Sequence, residues 1–269
     1  MKFKSLLVAI PFVCILCGLF LVDNLVLSQR GESEGVVRQE TVESFHRRPT
    51  QSQVETQVPI ILSLVVGNTG SLKEGGGEII RQTAEENGDV VAVLQYHCAV
   101  LEAEQPNDHV DWVRVTLSNG KTGYVRRTAV ERYKLTVNSD DPVRMRIVSD
   151  ALNYLGLPFR RYGASLESGV DCSNFIQQIF LRSGISLPDT PNEQKKVGTS
   201  IREAEALPGD LVYYPVNDGY GHVGLYLGDG FLINSSGHSG KTYPAGGVRI
   251  CRLQYQDRER YQLYRLLSS

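Results

Sequence analysis

Cysteine, tryptophan and charge of one sign are all scarce in this sequence, and each scarcity excludes a class of protein. The 269 residues include five cysteines and one tryptophan, and the net charge is −2. Five cysteines are too few for a small domain held together by disulfides. A balanced charge argues against a protein that wraps nucleic acid, since such proteins carry a basic excess. We therefore expect a globular protein of one to two domains.

Motifs for metal and nucleotide binding are also missing. The sequence contains no His-Glu-x-x-His motif and no Gly-x-x-x-x-Gly-Lys motif followed by Ser or Thr. Its Cys-x-x-Cys pair, Cys14 and Cys17, falls inside an apolar run, where packing explains both residues. The histidines are scattered along the chain. The sequence therefore predicts no metal site and no cofactor.

An uncharged run of 17 residues, 6–22, follows Lys2 and Lys4 near the N-terminus. A basic start before an apolar segment is typical of a signal peptide or a signal anchor. The run is at the lower limit for crossing a bilayer, so a retained anchor and a segment cleaved after residue 27 both stay open. In either case the positive residues place the rest of the chain outside the cytoplasm, in the cell envelope. Residues 1–27 are the predicted contact with the membrane.

Composition divides the remainder of the chain into three parts. Residues 28–57 are polar with charges of both signs, which predicts a flexible linker. Residues 58–136 contain short β-rich stretches and an Asn119-Gly120 turn, which predict a small all-β barrel. Residues 137–269 show two helical stripes and then a run of antiparallel strands. Helices before strands predict an α+β domain.

The string from Trp112 to Val125 resembles the C-terminal half of a bacterial Src-homology-3 domain. The resemblance implies a module that targets peptidoglycan, and a barrel that only packs against its neighbour is the alternative. We expect such a module to raise the local substrate concentration without taking part in the chemistry. Cys98 in this part and Cys251 are a candidate disulfide pair for an oxidising compartment, although core packing is the simpler explanation of both.

Cys172 stands at the predicted start of a helix, because Asp171-Cys172-Ser173 precedes an apolar helical pattern. Unpaired N–H groups and the positive end of the helix dipole favour a thiolate there. The thiolate is the nucleophile of cysteine enzymes, and a neighbouring imidazolium lowers the pKa of the thiol further. A cysteine in this position is usually only a small buried residue, so the assignment depends on a partner base.

His222 begins a predicted strand that supplies this base. Gly224 and Tyr226 share its face, and the small Gly224 leaves space beside the imidazole for a nucleophile or substrate. The hairpin register places Asn234 diagonally across, within side-chain reach. Its amide oxygen is expected to accept the Nδ1 hydrogen and fix the tautomer, as in Cys-His-Asn arrangements. His238 lies further along the same face and stays open as a rival third residue.

Four separated motifs together resemble the NlpC-type (NlpC and p-sixty) cell-wall peptidases. The motifs are Asp171-Cys172-Ser173, Leu187-Pro188 with Gln194, Pro208-Gly209-Asp210-Leu211-Val212, and His222 to Gly228, in the order of that family. The resemblance covers about residues 142–267. It implies a papain-like fold that hydrolyses the γ-D-glutamyl–diamino acid bond of peptidoglycan stem peptides, so that peptidoglycan or muropeptides are the expected partners. Under it Cys172 is the nucleophile, His222 the base and Asn234 the third residue, which is often histidine in the family.

Two positions depart from the pattern of that family. Asn174 replaces a glycine that often follows Cys-Ser, and Arg160 or Phe159 stands where the family has a tyrosine. Arg160 is a candidate to bind a substrate carboxylate, because a guanidinium grips a carboxylate with two hydrogen bonds; a solvated arginine is the alternative. Asp171 and Ser173 are further candidates for substrate contact. The departures keep two other functions open: a catalytically weak wall-binding protein, and a papain-like amidase or acyltransferase with another substrate.

Overall fold

A computed structural model describes most of the chain after residue 57. The described residues are 58–68, 76–104, 109–117, 120–216, 219–237, 246–255 and 260–267. The predicted signal segment, the predicted linker and His238 lie outside them. No helix among the described residues is long and apolar enough to cross a membrane.

The first part of the described chain consists of strands, as its short apolar stretches predict. This N-terminal sheet comprises β1 (Ile60–Gly67), β2 (Gly77–Arg81), β3 (Val90–Gln95), β4 (Cys98–Glu102), β5 (Trp112–Thr116), β6 (Thr122–Arg126) and β7 (Val130–Val137). The strands pair antiparallel in the order β7-β1-β4-β5-β6-β2-β3. Aliphatic side chains inside this sheet form a core of their own: Val65, Ile80, Leu94, Val100, Val113, Val115, Leu117, Val125 and Val130.

Three helices follow, each begun by a side chain that caps its first turn. They are α1 (Pro142–Leu152), α2 (Cys172–Arg182) and α3 (Pro191–Lys196), capped by Asp141, Asp171 and Thr190. The start of α2 at Cys172 agrees with the sequence prediction, and α1 and α2 correspond to the two predicted helical stripes. The short α3 was not predicted, because its six residues carry no apolar stripe. The predicted apolar face of α2 is fully buried: Phe175, Ile176, Ile179 and Phe180.

The remaining strands form an antiparallel sheet against α2, which confirms the α+β prediction. They are β8 (Ala164–Ser165), β9 (Gly169–Val170), β10 (Thr199–Ile201), β11 (Leu211–Tyr214), β12 (His222–Gly228), β13 (Phe231–Ser236), β14 (Gly247–Arg252) and β15 (Gln262–Arg265). β10 to β15 pair in the order β10-β15-β11-β12-β13-β14, while β8 pairs with β9. The alternation predicted for β12 is confirmed: Val223, Leu225 and Leu227 pack in the core with α2, whereas Tyr226 packs on the opposite face.

The two parts of the described chain share one sheet, and both contribute to the core around α2. β4 pairs with β14, so that Cys98 lies opposite Cys251, and a disulfide joins these two cysteines. Residues of the N-terminal sheet also enter the core that surrounds α2: Leu64, Val66, Ala99, Leu135 and Val137. All of these residues belong to one compact unit, Gln53–Ser269. The predicted boundary at residue 136 therefore does not separate two independent cores.

The Pro208-Gly209-Asp210 motif has a structural explanation. Asp210 is completely buried and its carboxylate lies 2.8 Å from Arg144 Nη1 and 3.0 Å from Arg265 Nη2. The same carboxylate accepts a hydrogen bond from the backbone N–H of Leu207 at 2.8 Å. One carboxylate thus ties α1, the entry to β11 and β15 together, which fixes the sheet that carries His222.

Candidate active site

The nucleophile candidate, Cys172, is the first residue of α2 and is 7% exposed. Asp171 caps the helix: its Oδ1 accepts from the Asn174 N–H at 2.9 Å, and its Oδ2 accepts from the Tyr162 N–H at 3.1 Å. The cap ties the loop that contains Tyr162 to the helix start. Since first-turn N–H groups have no intrahelical acceptor, the helix presents its positive end at the thiol.

Asp171 and Ser173, both expected to contact substrate, are 6% and 1% exposed. Asp171 Oδ1 also accepts from Asn174 Nδ2 at 3.0 Å and from Ser173 Oγ at 3.4 Å. The Ser173 carbonyl accepts from Gln194 Nε2 at 2.8 Å. These side chains are engaged in building the helix start. The departure at Asn174 has a local reason, because its amide adds a hydrogen bond to the cap.

The base candidate, His222, lies at the start of β12 and is 6% exposed. The pairing of Leu225 with Ile233 and of Tyr226 with Leu232 sets the hairpin register, and it brings Asn234 beside the imidazole as predicted. Asn234 is completely buried, and its Oδ1 lies 3.3 Å from His222 Nε2. The nitrogen in this contact is Nε2 and not Nδ1 as expected.

Gly224 was expected to leave space for a nucleophile or substrate, but in the structure it makes room for the neighbouring strand β13. A Cβ atom at this position would come within 2.5 Å of a Leu232 methyl and 3.0 Å of Asn234 Cβ. The space beside Gly224 is therefore filled by β13 and is not open to a substrate. The glycine allows the two strands to approach, which brings Asn234 to the imidazole.

Tyr255 is a member of the site that sequence reasoning missed. Its hydroxyl lies 3.0 Å from His222 Nε2 and donates to Asn234 Oδ1 at 3.1 Å. The residue follows β14 and is 1% exposed. No motif marks it, because the contact depends on where the chain turns after β14. The only sequence feature that could have indicated Tyr255 is its position shortly after an apolar strand.

Arg160 lies in the loop beside the helix start, as expected, and its side chain is exposed. Its backbone N–H donates to the Val170 carbonyl at 3.1 Å, two residues before Cys172. The aliphatic part of the side chain covers Gly169, since a Cβ on that glycine would come within 2.7 Å of Arg160 Cγ. The guanidinium is thus carried on a loop anchored next to the nucleophile.

Two tyrosines near Cys172 were also missed. Tyr162 has a left-handed backbone (φ 60°), and its exposed ring lies 6.4 Å from the ring of Tyr220 in an edge-to-face pair. Burial raises the pKa of Tyr220, and the nearby charges of Asp171 and Cys172 raise it further. A left-handed conformation is uncommon for an aromatic residue and often occurs at functional sites.

Metal binding finds no support at this site. Across the part of the chain that the structure describes, no group of three or more His, Cys, Asp or Glu side chains is arranged to hold a metal ion. The cysteine begins α2, which packs against the strand of the histidine, and a buried amide lies beside the imidazole. These are the residue types that Cys-His-Asn hydrolases use. The residues present can do acyl-transfer chemistry with protein groups alone.

Comparison with known proteins identifies the family. Residues 156–253 match the NlpC/P60 family. The murein DD-endopeptidase MepS/murein LD-carboxypeptidase of Escherichia coli (strain K12) is 33% identical over 171 residues, which are 63% of this chain and 87% of that protein. This chain belongs to the NlpC/P60 family.

Other relatives match over shorter stretches. The probable endopeptidase p60 of Listeria innocua is 39% identical over 89 residues, which are 33% of this chain and 19% of that protein. The gamma-D-glutamyl-L-lysine dipeptidyl-peptidase of Bacillus cereus is 30% identical over 125 residues, 45% of this chain and 37% of that protein. The chain thus spans about a fifth of the p60 relative. The crystal structure of an NlpC/P60 family protein from Bacillus cereus has a TM-score of 0.42 at 22% identity and covers 77% of this chain and 64% of that one.

Proposed function

We propose that this protein is a cysteine peptidase that hydrolyses an amide bond in the stem peptides of peptidoglycan. One observation carries the proposal: Asn234 Oδ1 lies 3.3 Å from Nε2 of His222, on the strand that packs against the helix begun by Cys172. In this arrangement a buried amide orients an imidazole beside a thiol.

The chemistry is acyl transfer in two steps. The Cys172 thiolate attacks the amide carbonyl, and backbone N–H groups in the first turn of α2 stabilise the oxyanion. The imidazolium of His222 gives its Nδ1 proton to the leaving amine, which departs and leaves a thioester on Cys172. His222 then takes a proton from water, the resulting hydroxide attacks the thioester, and the thiolate is released with the acid product.

The bond proposed for cleavage lies between γ-D-glutamate and the diamino acid. The Bacillus cereus relative is named for a γ-D-glutamyl-L-lysine bond, and a γ-DL-glutamyl hydrolase of Bacillus subtilis is 35% identical over 98 residues. This bond leaves the α-carboxylate of D-glutamate free beside the scissile amide. The exposed Arg160, anchored next to the helix start, is proposed to bind that carboxylate.

We also propose an extracytoplasmic location and a role for the N-terminal sheet in targeting the wall. The Cys98–Cys251 disulfide is typical of an oxidising compartment, which agrees with a substrate outside the membrane. Residues 1–27 are proposed to be the signal or anchor. The resemblance of residues 58–136 to a bacterial Src-homology-3 domain supports peptidoglycan targeting. This role would be additional to the structural one, since residues of the same sheet also enter the core around α2.

The test is incubation of the full-length protein with defined muropeptides, followed by mass spectrometry of the products. Cleavage at the γ-D-glutamyl bond is expected, and Cys172→Ala is expected to abolish it with little change in melting temperature. Retained turnover in Cys172→Ala would exclude Cys172 as the nucleophile. Binding to sacculi without cleavage by the wild type would favour the wall-binding function, and cleavage of another amide or an ester would favour the amidase or acyltransferase.

A further inference from the structure

Tyr255 closes a ring of three hydrogen-bonding groups around the imidazole of His222. Its hydroxyl lies 3.0 Å from Nε2 and donates to Asn234 Oδ1 at 3.1 Å, while Asn234 Oδ1 lies 3.3 Å from the same nitrogen. The phenol has one hydrogen, and it is given to Asn234. With that direction of the Tyr255–Asn234 bond, a hydrogen on Nε2 is the arrangement in which the nitrogen donates toward both oxygens.

The ring of Tyr255 is held in place by buried neighbours. The ring of Tyr214 packs against it edge to face, with centroids 5.8 Å apart. The guanidinium of Arg249 lies 5.9 Å from its centroid, and Arg249 is 1% exposed. Arg249 donates to Ser236 Oγ from Nε at 3.1 Å and from Nη2 at 2.8 Å, and its Nη1 donates to Gln95 of β3. Gln95, a residue of the N-terminal sheet, thus helps to fix Arg249, which packs against the ring of Tyr255.

We propose that Tyr255 is a positioning residue of the catalytic histidine, which holds the Nε2–H tautomer of His222 and stabilises its imidazolium. The inference rests on the proposed function, because it concerns the base of that reaction. With Nε2 protonated, the lone pair of the neutral imidazole is on Nδ1, the atom that must exchange the proton with Cys172 and the leaving amine. Asn234 alone offers one acceptor at 3.3 Å, and Tyr255 adds a closer one.

The expected effect on the pH profile has a definite sign. The ionisable groups around His222 are Tyr214 of β11, Tyr255, and Arg249 behind Tyr255. Cys172 begins α2, the helix that packs against β12. When the hydroxyl is removed, the imidazolium loses an acceptor and its proton becomes easier to lose. The alkaline limb of kcat/KM in Tyr255→Phe should move to lower pH by about half to one unit, because a hydrogen bond to a charged group contributes on the order of one pKa unit.

Tyr214→Phe is the matched control. Tyr214 is also 1% exposed, its hydroxyl donates to the Leu253 carbonyl at 2.6 Å, and its ring lies 5.8 Å from that of His222. Each variant removes one buried hydroxyl, so both should lower the melting temperature. Only Tyr255→Phe should move the alkaline limb and lower kcat, by about tenfold, with a smaller change in KM.

A substrate-free measurement separates this inference from the proposed function. The rate of Cys172 alkylation by iodoacetamide against pH is followed by mass spectrometry of its peptide in the full-length chain. Part of the alkylation rate comes from the Cys172 thiolate that is paired with the His222 imidazolium. In Tyr255→Phe this part of the rate should decline at a lower pH than in the wild type. If the wild type shows the imidazolium-dependent thiolate but cleaves no muropeptide, the proposed function is wrong. The positioning role of Tyr255 would still be supported by the shifted alkylation curve of Tyr255→Phe.

If Tyr255→Phe fails to fold, the proposal is tested by measuring which nitrogen of His222 carries the hydrogen. In ¹⁵N spectra of Cys172→Ala, the neutral His222 should carry its hydrogen on Nε2, with the signal assigned by His222→Gln. Hydrogen on Nδ1 would overturn the proposal. So would a Tyr255→Phe variant that is folded and matches Tyr214→Phe in its pH profile and alkylation curve.

Discussion

Asn234 is proposed to act through one atom, its Oδ1, which lies 3.3 Å from Nε2 of His222. Nε2 is the ring nitrogen that is not proposed to exchange the catalytic proton. An orienting residue of this kind aligns the base but accepts no proton itself. Asn234→Ala should therefore lower kcat substantially and leave some turnover; loss of the orienting member of other triads costs about 10⁴-fold. Steady-state cleavage of a defined muropeptide measures the loss.

His238→Ala is the comparison variant for this prediction, because His238 was the rival from the sequence and lies outside the described residues. We expect a much smaller loss than in Asn234→Ala. If His238→Ala is the more damaging change, the third residue is His238 and the contact between Asn234 and His222 is only structural.

Arg160 is predicted to recognise a carboxylate of the substrate. A charge-assisted bidentate contact contributes about 1.5–3 kcal/mol, or roughly ten- to a hundredfold in kcat/KM. Arg160→Ala should show that loss on a substrate with a free D-glutamate α-carboxylate. Arg160→Lys should lose most of it as well, because the planar fork makes the contact. The rates are measured on free-acid and amidated muropeptides.

Arg161→Ala is the matched control for Arg160. The neighbouring arginine is also exposed, and its guanidinium lies 5.3 Å from the ring of Tyr162. Amidation of the substrate should reduce cleavage by the wild type and by Arg161→Ala far more than by Arg160→Ala. Equal preference for the two substrates in the wild type and Arg160→Ala would mean that Arg160 is a solvated surface charge.

At the scale of elements, the buried carboxylate of Asp210 joins a helix to two strands. Asp210→Ala removes the partner at 2.8 Å from the buried Arg144 and leaves it with the longer 3.6 Å contact to Asp141. Removal of one partner of a buried ion pair is strongly destabilising. We expect the free energy of unfolding to fall by about 3–5 kcal/mol. Glu193→Ala removes an exposed pair with Lys196 at 2.7 Å and should cost less than about 1 kcal/mol. Urea unfolding compares the two, and similar losses would contradict this account.

Local patterns predicted most of the elements that carry the site. Alternation placed His222 and Asn234 on one face of a hairpin, and the apolar helical pattern that follows Cys172 marked the start of α2. Such features depend on residues close together in the sequence. Tyr255 and Gly224 were missed or misread because their contacts depend on how distant segments pack. The structural role of Asp210 could not be predicted for the same reason, because its partners Arg144 and Arg265 lie 66 and 55 residues away in the sequence.

At the scale of the whole molecule, the N-terminal sheet has two faces with two tasks. One face closes its own core, and the other supplies Leu64, Val66, Ala99 and Leu135 to the core around α2. The pairing of β4 with β14 and the Cys98–Cys251 disulfide join the same two parts through the backbone and side chains. Gln95 reaches Arg249, which supports Tyr255 beside the imidazole. Substrate targeting alone does not explain a sheet built into the core in this way.

Deletion of residues 1–136 is therefore predicted to destroy the fold of the catalytic part as well as targeting. Each buried leucine or valine contributes about 1.5–3 kcal/mol, and a whole domain is stable by only about 5–15 kcal/mol. Loss of several such side chains together with the disulfide approaches that total. Circular dichroism should show no cooperative melting, and soluble muropeptides should remain uncut. Deletion of residues 1–57, which keeps the whole N-terminal sheet, should preserve both folding and cleavage. A fragment without residues 1–136 that still cuts soluble muropeptides, but not sacculi, would instead identify the sheet as a separable targeting module.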